Sequence, residues 1–448
     1  MSVAITEPRA THLGMPAEDA RPRRRPGRVY LVLAALLAPM CVPAGPGQSA
    51  ALDVLNLIAI AAFALFVVGP GRQSLRVPLA IPMGLVAVGS LIACAWAPSL
   101  GQAALSLAQD VYLFASFLVA VNVIRTRRDL RAVRIAWVVA AVAVSLVAVG
   151  QLVIHNGGSL GSLFGSRGLR PPGTLYNPNM LADYLMTSVF VAMSLAAEVR
   201  RLPLVLATGV IGFGLLVTKS NGGMIAFAAG LITWCAVGIA IGPSHRRGGL
   251  IAATALLATL AGVTVWLNAE WGLADGALRS LKEQTFVGRM EKSSASRMRI
   301  WDQLERAYAR SPLGIGPGNS NALTVGIADR ERPDSYRSKE AHSDYLGYAI
   351  ERGPLGLMGL LGFVVATYLY VARYWQGSRH ASGRTPRRAA LWTASMAAVL
   401  TASAVHSMVI EKLHFRHFWL FIALVCGSAL MASERPADGP VDAPAEVA

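Results

Sequence analysis

The sequence predicts an all-α integral membrane protein, and three observations support this fold class. First, 54% of the 448 residues are hydrophobic and only 15% are charged, whereas soluble domains carry about 25% charged residues. Second, apolar residues come in runs of roughly 17 to 25, the length at which a helix spans a bilayer core. Third, basic residues collect in alternate connections between these runs, as the positive-inside rule requires. A water-soluble enzyme is therefore disfavoured, and disorder is excluded for most of the chain.

The apolar runs predict about twelve transmembrane helices. Nine of them lie within residues 29–268 and three within residues 344–432. The intervening residues 269–343 are far longer than an ordinary connection, so they predict a large external loop or cap with short helices between helices nine and ten. The predicted segments are 29–45, 51–69, 77–97, 103–124, 132–154, 178–197, 202–218, 222–242, 249–268, 344–375, 389–410 and 416–432.

The basic residues predict how these helices are oriented in the membrane. If the N-terminus is inside, the even-numbered connections are also inside, and every one of them is basic. Both termini are then cytoplasmic, and the tails 1–28 and 433–448 are predicted to be disordered. The formal net charge of +16 therefore reflects membrane topology. The expected partner is the lipid bilayer and not nucleic acid.

The most informative stretch for chemistry is 341–359, AHSDYLGYAIERGPLGLMG. His342 and Ser343 precede nine residues, then come Gly353, two residues and Gly356. A helix that begins directly after Ser343 places His342 at its outer edge, where a neutral imidazole can accept a proton from a hydroxyl. The alternative interpretation is a polar helix start followed by glycines that allow close helix packing. Spacing alone favours this second interpretation.

The external loop contains a second patterned stretch at 297–319, RMRIWDQLERAYARSPLGIGPGN. Its first half has helical spacing, with Ile300 and Leu304 on one face. Arg297 lies four residues before Trp301, and a Gly/Pro-dense turn follows the helix. We therefore expect a structured cap, in which Arg297 is either a phosphate ligand or a solvated charge.

Polar residues open or close other predicted membrane helices. Asn177 and Asn179 begin a helix in 172–185 (PGTLYNPNMLADYL), and Asp183 follows within it. Carboxylates inside a membrane segment are functional candidates by default, so Asp183 is expected to share the active cavity. Asp110, another such carboxylate, is expected to pair inside the bundle.

Taken in order, these stretches resemble the O-antigen ligase family, which includes related O-antigen and exopolysaccharide polymerases. The signature of that family is His, then Asn, Ser or Gln, nine residues, Gly, two residues, then Gly, Thr or Tyr. His342, Ser343, Gly353 and Gly356 fit it without a gap. The closing helix of the family resembles 416–424, RHFWLFIAL. The ligase-like region is expected at about 210–425.

The resemblance implies a membrane glycosyltransferase of the C type (GT-C-like) in the bacterial cytoplasmic (inner) membrane. Such an enzyme moves a glycan from an undecaprenyl-pyrophosphate carrier to an acceptor hydroxyl on the outer face, with inversion and without a metal or other cofactor. The implied partners are the lipid-linked glycan donor and a glycan, lipid or protein acceptor. His342 would deprotonate or orient the acceptor.

The resemblance also implies cationic residues on the donor pyrophosphate, because guanidinium pairs with phosphate oxygens. Arg297 matches the family motif. Many members carry Ser-Arg before the eighth helix, but Asn221 stands where that Arg would be. The second cation is therefore open, and the candidates are Lys219, Arg170 and Arg416.

Two further alternatives remain at this stage. His406, Glu411, His414 and His417 lie near the outer ends of the last two helices, but zinc sites have tighter ligand sets, so no metal is predicted. A secondary transporter or lipid carrier would need a binding site at the membrane midplane and usually internal symmetry. Ligase and polymerase are not separated by the sequence.

Overall fold

The computed structural model describes residues 26–41, 50–68, 75–155, 170–175, 177–242, 298, 300–320, 341–379 and 385–433. Within these ranges the chain is helical and contains no β-strand. Residues 300–310 form a helix outside the main bundle. The bundle helices are α1 Pro26–Leu37, α2 Ala51–Val68, α3 Ala80–Ala93, α4 Leu100–Val123, α5 Arg127–His155, α6 Pro178–Ser194, α7 Arg201–Val217, α8 Asn221–Ile241, α9 Asp344–Ser378, α10 Thr385–His406 and α11 Arg416–Ser433.

The all-α membrane architecture is confirmed in its coarse form. These bundle helices overlap every predicted segment except 249–268, which lies outside the described residues. Among the described helices, seven are long and apolar enough to cross a membrane, namely α4, α5, α6, α8, α9, α10 and α11. The total of twelve, the GT-C-like assignment and the orientation of the termini stay predictions. Most of the predicted external loop and both predicted tails beyond residues 26 and 433 also lie outside the described residues.

The first helix differs from its predicted boundaries at both ends. It begins at Pro26 and ends at Leu37, whereas the sequence predicted a tail to residue 28 and a helix over 29–45. Proline is favoured in the first turn of a helix because its missing N–H would be unpaired there anyway. Pro39 explains the early end, because a proline disfavours the helical conformation in the residue before it.

Helix α6 lies at the centre of the bundle and is enclosed by α5, α7, α8 and α10. Tyr184 of α6 packs on α5, where its ring stacks on Trp137 with ring centroids 5.6 Å apart. Trp137 Nε1 donates to Ser188 Oγ at 2.9 Å, so the buried indole N–H is satisfied. Because α6 is enclosed, a polar side chain on it must find its partners inside the protein.

Helices α3 and α9 approach each other closely through glycines. A Cβ on Gly89 of α3 would lie 2.6 Å from Gly356 N, and one on Gly359 of α9 would lie 2.7 Å from Pro82 O. Small residues permit such backbone contact between membrane helices. The predicted packing role of the motif glycines is therefore seen at Gly356, where the backbone of α9 meets α3.

The close approach can be tested with two glycines on the same helix. Gly89→Ala should destabilise the protein by about 1–3 kcal/mol, because its Cβ meets backbone atoms that cannot move aside. Gly84→Ala is the matched control, since a Cβ at Gly84 meets nothing within 4 Å. Melting temperatures of the purified proteins in detergent measure both changes. Equal melting temperatures for the two variants would contradict the predicted contact.

Candidate functional site

A cavity of about 300 Å³ lies at the end of the bundle where α4, α9 and α11 begin. We call this end, which also holds the start of α6 and α8 and the connection 407–415, the site end. The cavity lies between the first turns of α4, the first half of α9, the turn near residue 320 and the 407–415 connection. Its lining residues are Gln102, Leu105, Ser106, Gln109, Asp110, Gly318, Ser320, Asp344, Gly347, Tyr348, Glu351, Arg352, Glu411, Leu413 and His414.

The His motif is placed at the start of α9, as the sequence predicted. Ser343 is the N-cap residue, and its side chain accepts from Leu346 N at 3.4 Å. His342 stands just outside the helix with a φ of 52° and is half-buried. The preceding carbonyl, of Ala341, accepts from Trp301 Nε1 at 2.9 Å. His342 is thus held between a tethered residue and a capped helix, directly beside the residues that line the cavity.

The external helix packs against this motif. Ile300 and Leu304 are buried together with Ile315, Ala341 and Ile350. The predicted helical face of the external stretch is therefore confirmed, and it covers the start of α9. Arg297, the motif-matched phosphate candidate, lies outside the described residues, so its role stays a prediction.

Gly353 breaks α9 into two helical parts. Its φ of 64° and ψ of −167° are non-helical, a conformation that glycine adopts without steric cost. A Cβ at this position would lie 2.5 Å from Leu313 O. The turn that follows the external helix therefore crosses α9 at the break, where Ile315 N donates to Ile350 O at 2.9 Å. The motif glycine makes this crossing possible.

Arg352 is a buried cation that the motif analysis did not single out. Its side chain pairs with the Asp110 carboxylate and donates to Ser90 Oγ at 3.0 Å. The guanidinium carbon lies 4.4 Å from the ring centroid of Tyr348. Asp110 therefore pairs inside the bundle, as expected. The signal for Arg352 was present in the sequence, because a charged residue within an apolar helix is a functional candidate.

The turn at 312–320 is anchored to both walls of the cavity. Ser320 Oγ donates to Glu351 Oε1 at 2.6 Å. Asn319 accepts from Ser99 N at 3.0 Å and donates to Ser99 O at 3.2 Å. Ser99 is the N-cap residue of α4. The turn therefore fixes the spacing between the start of α4 and the first half of α9.

Asp183 is fully buried, and one amine and two imidazole groups surround its carboxylate. Lys412 Nζ donates to it at 2.6 Å, His406 Nδ1 lies at 2.7 Å and His417 Nε2 at 2.9 Å. Lys412 Nζ also donates to Ser403 Oγ at 2.9 Å. These contacts join α6 to α10, to the 407–415 connection and to α11. Asp183 is not among the residues that line the cavity, and its role in the active site stays a prediction.

The same connection also fixes the start of α9. The backbone N–H of Lys412 donates to Asp344 Oδ1 at 3.0 Å, and that of Leu413 donates to it at 3.3 Å. In return, Asp344 N donates to Ser407 O at 2.9 Å. Lys412 therefore binds α6 with its side chain and α9 with its backbone.

Arg170 and Lys219, two of the candidate ligands of the pyrophosphate, lie close to Asn177 and Asn179. Arg170 donates to Asn179 Oδ1 at 2.7 Å and to Thr218 O at 3.2 Å. Ser220 Oγ donates to the same amide oxygen of Asn179 at 2.9 Å. Lys219, between Thr218 and Ser220, has a φ of 52° and is mostly buried. Asn177 is the N-cap residue of α6 and accepts from Asn179 N at 2.8 Å.

The third candidate cation, Arg416, is paired elsewhere. Its guanidinium binds the Asp53 carboxylate at 2.5 and 2.7 Å. Tyr112 also donates to Asp53, at 2.6 Å. Arg416 therefore ties α11 to α2.

The residues considered for zinc have other contacts. Two of the histidines bind Asp183, as described above. Burial, followed by the nearby Arg416 and His417, lowers the pKa of His414 to about 4. Within the described ranges, no group of three or more His, Cys, Asp or Glu side chains is arranged to hold a metal ion.

The comparisons with known proteins address the family. Residues 205–361 match the family model described as O-antigen ligase. The resemblance to that family is confirmed over this segment. The matched segment begins within α7, covers α8, the external helix and the complete His motif, and ends within α9. No curated protein matches the chain. The roles of Asn177, Asn179, Asp183 and Arg416, which lie outside the matched segment, stay predictions.

The buried Lys412–Asp183 pair should be essential for the stability of the site end. Lys412→Met should destabilise the protein by about 3–5 kcal/mol, because it leaves a buried carboxylate with its charge uncompensated. The matched control is Arg306→Met, which removes a cation from an exposed pair with Asp302 and should change stability by less than about 1 kcal/mol. Melting temperature in detergent is the measurement. A Lys412 variant as stable as the control would refute this assignment.

Proposed function

We propose that the protein transfers a glycan from a polyprenyl-pyrophosphate donor to an acceptor hydroxyl on the outer face of the cytoplasmic membrane. The observation that carries the proposal is the position of His342. It lies within the segment that matches O-antigen ligase, and it stands at the capped start of α9 beside a polar cavity. The family suggests a role in cell-surface polysaccharide biosynthesis.

His342 is proposed as the group that deprotonates or orients the acceptor hydroxyl. The transferred sugar forms a bond to the acceptor oxygen, its bond to the pyrophosphate oxygen breaks, and the hydroxyl proton passes to the imidazole. A neutral imidazole at this position can accept the proton, because a ring nitrogen of histidine is a good proton acceptor near neutral pH. Trp301 and Ser343 would keep it in position through the hydrogen bonds described above.

Arg170 and Lys219 are proposed to bind the donor pyrophosphate. Both lie at the starts of α6 and α8, where helix dipoles also favour an anion. Arg170 is exposed, so its guanidinium is accessible to a ligand. Lys219 takes the place of the arginine that many family members carry two residues later. Arg297 remains a further candidate, whereas the tight pair with Asp53 argues against Arg416.

Ligase and polymerase share this chemistry and differ only in the acceptor. A ligase joins a finished chain to a different acceptor, and a polymerase extends a chain of its own kind. A transporter is the rival from another class. Its main requirement is a polar site at the membrane midplane, whereas the cavity opens at the starts of α4 and α9.

A complementation experiment tests the role of His342. The gene is deleted in its own host and replaced by wild type or His342→Ala at matched membrane levels. Wild type should restore the surface glycan, and His342→Ala should lower it by about 100-fold or more, the range of general-base catalysis. Full-length chains left on the lipid carrier would indicate a ligase, and single repeats a polymerase. Full restoration by His342→Ala would refute the assignment.

A second experiment tests the phosphate site. Arg170→Gln should lower glycan yield about tenfold, because one charge-assisted hydrogen bond to the pyrophosphate is lost. Arg170→Lys should recover part of the yield, since it keeps the charge but not the paired geometry. Arg373→Gln is the control, because this residue lies in the second half of α9, beyond the break. Equal yields for both glutamine variants would exclude Arg170 from donor binding.

A further inference from the structure

The cavity at the start of α9 is predominantly acidic. Four carboxylates line it, those of Asp110, Asp344, Glu351 and Glu411. Among the described lining residues, Arg352 is the one with a permanent positive charge, and it is paired with Asp110. His414 is uncharged at neutral pH because its pKa is about 4. A diphosphate would therefore meet net negative charge in this cavity.

Two of the residues that line the cavity each carry a buried polar atom without a hydrogen-bond partner in the described part of the chain. These atoms are Nε of Arg352 and Oδ2 of Asp344. The two residues are only 5% and 2% exposed. A buried donor or acceptor without a partner costs about 1–3 kcal/mol. The residues that line this cavity therefore carry one hydrogen-bond donor and one acceptor that the described part of the chain does not satisfy. This observation does not depend on the charge of the cavity.

The other lining groups suit a ligand that is rich in hydroxyls. A hydroxyl both donates and accepts, so it can bind a carboxylate oxygen, a guanidinium N–H or an amide. Gln102 and Gln109 supply amides along one wall of α4, and Ser106 lies between them. Tyr348 adds an aromatic ring. The volume of about 300 Å³ lies at the lower end of the range for small-molecule sites.

We infer that this cavity is a subsite for one sugar of the acceptor glycan, either uncharged or carrying an amine, and that it excludes the donor diphosphate. Glu351 and Asp344 accept hydrogen bonds from the sugar, Arg352 Nε donates one, and the glutamines of α4 bind the opposite edge. The inference rests on the proposed glycan transfer, because it assigns the donor and the acceptor of that reaction to two separate sites.

The layout of the site end is consistent with this division. The 407–415 connection separates the two places. On one side Val409 packs against Gly222 at the start of α8, next to Lys219. On the other side Glu411, Leu413 and His414 line the cavity. The anionic part of the donor is thereby bound beside the cations, while the acceptor sugar is bound among carboxylates, with His342 at the start of α9.

Saturation-transfer NMR on the purified full chain in nanodiscs tests the subsite without requiring turnover. The probes are glucose, galactose, N-acetylglucosamine, glucosamine, glucuronate and inorganic pyrophosphate. At least one uncharged or amino sugar should receive saturation. The affinity of the protein for that sugar should fall about tenfold in Glu351→Gln and in Gln109→Leu, because each variant loses one strong hydrogen bond to the sugar. Gln109 is exposed, so its variant should fold normally.

Matched controls come from the external helix, where Glu305 and Gln303 are exposed and do not line the cavity. Glu305→Gln and Gln303→Leu should bind the sugar as wild type does. The inference is overturned if no uncharged or amino sugar binds, if both lining variants bind like wild type, or if glucuronate or pyrophosphate binds in a manner that depends on Glu351.

The two proposals can fail separately. If sugars bind as expected but deletion of the gene leaves the surface glycan unchanged, glycan transfer is wrong and the cavity remains a sugar site. If His342→Ala abolishes the glycan but the lining variants bind sugar like wild type, the transfer reaction stands and the acceptor subsite is wrong.

Discussion

The ionised carboxylate of Asp183, buried away from water, is the constraint on which the site end depends. A charge in that position is tolerated only if other groups neutralise it and satisfy its lone pairs. The chain does this with Lys412 and two histidines, drawn from α10, α11 and the connection between them. Because the backbone of Lys412 also holds Asp344, the position of the His-motif helix follows from the way Asp183 is neutralised.

A second constraint comes from backbone shape. The turn after the external helix fits between the start of α4 and α9 only because glycines leave room for it. A Cβ on Gly314 would lie 2.8 Å from both Glu351 O and Gly353 N. The turn and the helix are therefore in contact along their backbones. The width of the cavity is determined by this contact and by the hydrogen bonds of Asn319 and Ser320.

Local patterns in the sequence predicted the elements of this site but not its connections. The start of α9 after Ser343, the external helix and the polar start of α6 were all predicted, because capping and helical periodicity act between residues a few positions apart. The Lys412–Asp183 pair joins residues 229 positions apart, and Arg352 binds Asp110 across 242 positions. A single sequence contains no signal for such pairs beyond the presence of unusual charges in apolar segments.

The break at Gly353 could not be predicted from the sequence for a related reason. Gly353 and Pro354 are compatible with a continuous, slightly bent membrane helix as well as with a break. The choice depends on the turn that crosses the helix there. That turn contains three glycines with positive φ, at 314, 316 and 318. Their structural role is evident only once the backbone that they approach is known.

The break at Gly353 brings positions 352 and 356 closer together than they are in a regular helix. In this chain a Cβ on Gly356 would collide with the Cβ of Arg352, although side chains four residues apart normally lie side by side. Any side chain at position 356 of this chain would require the break at Gly353 or the side chain of Arg352 to move. Gly356 therefore allows the side chain of Arg352 to keep its place in the wall of the cavity.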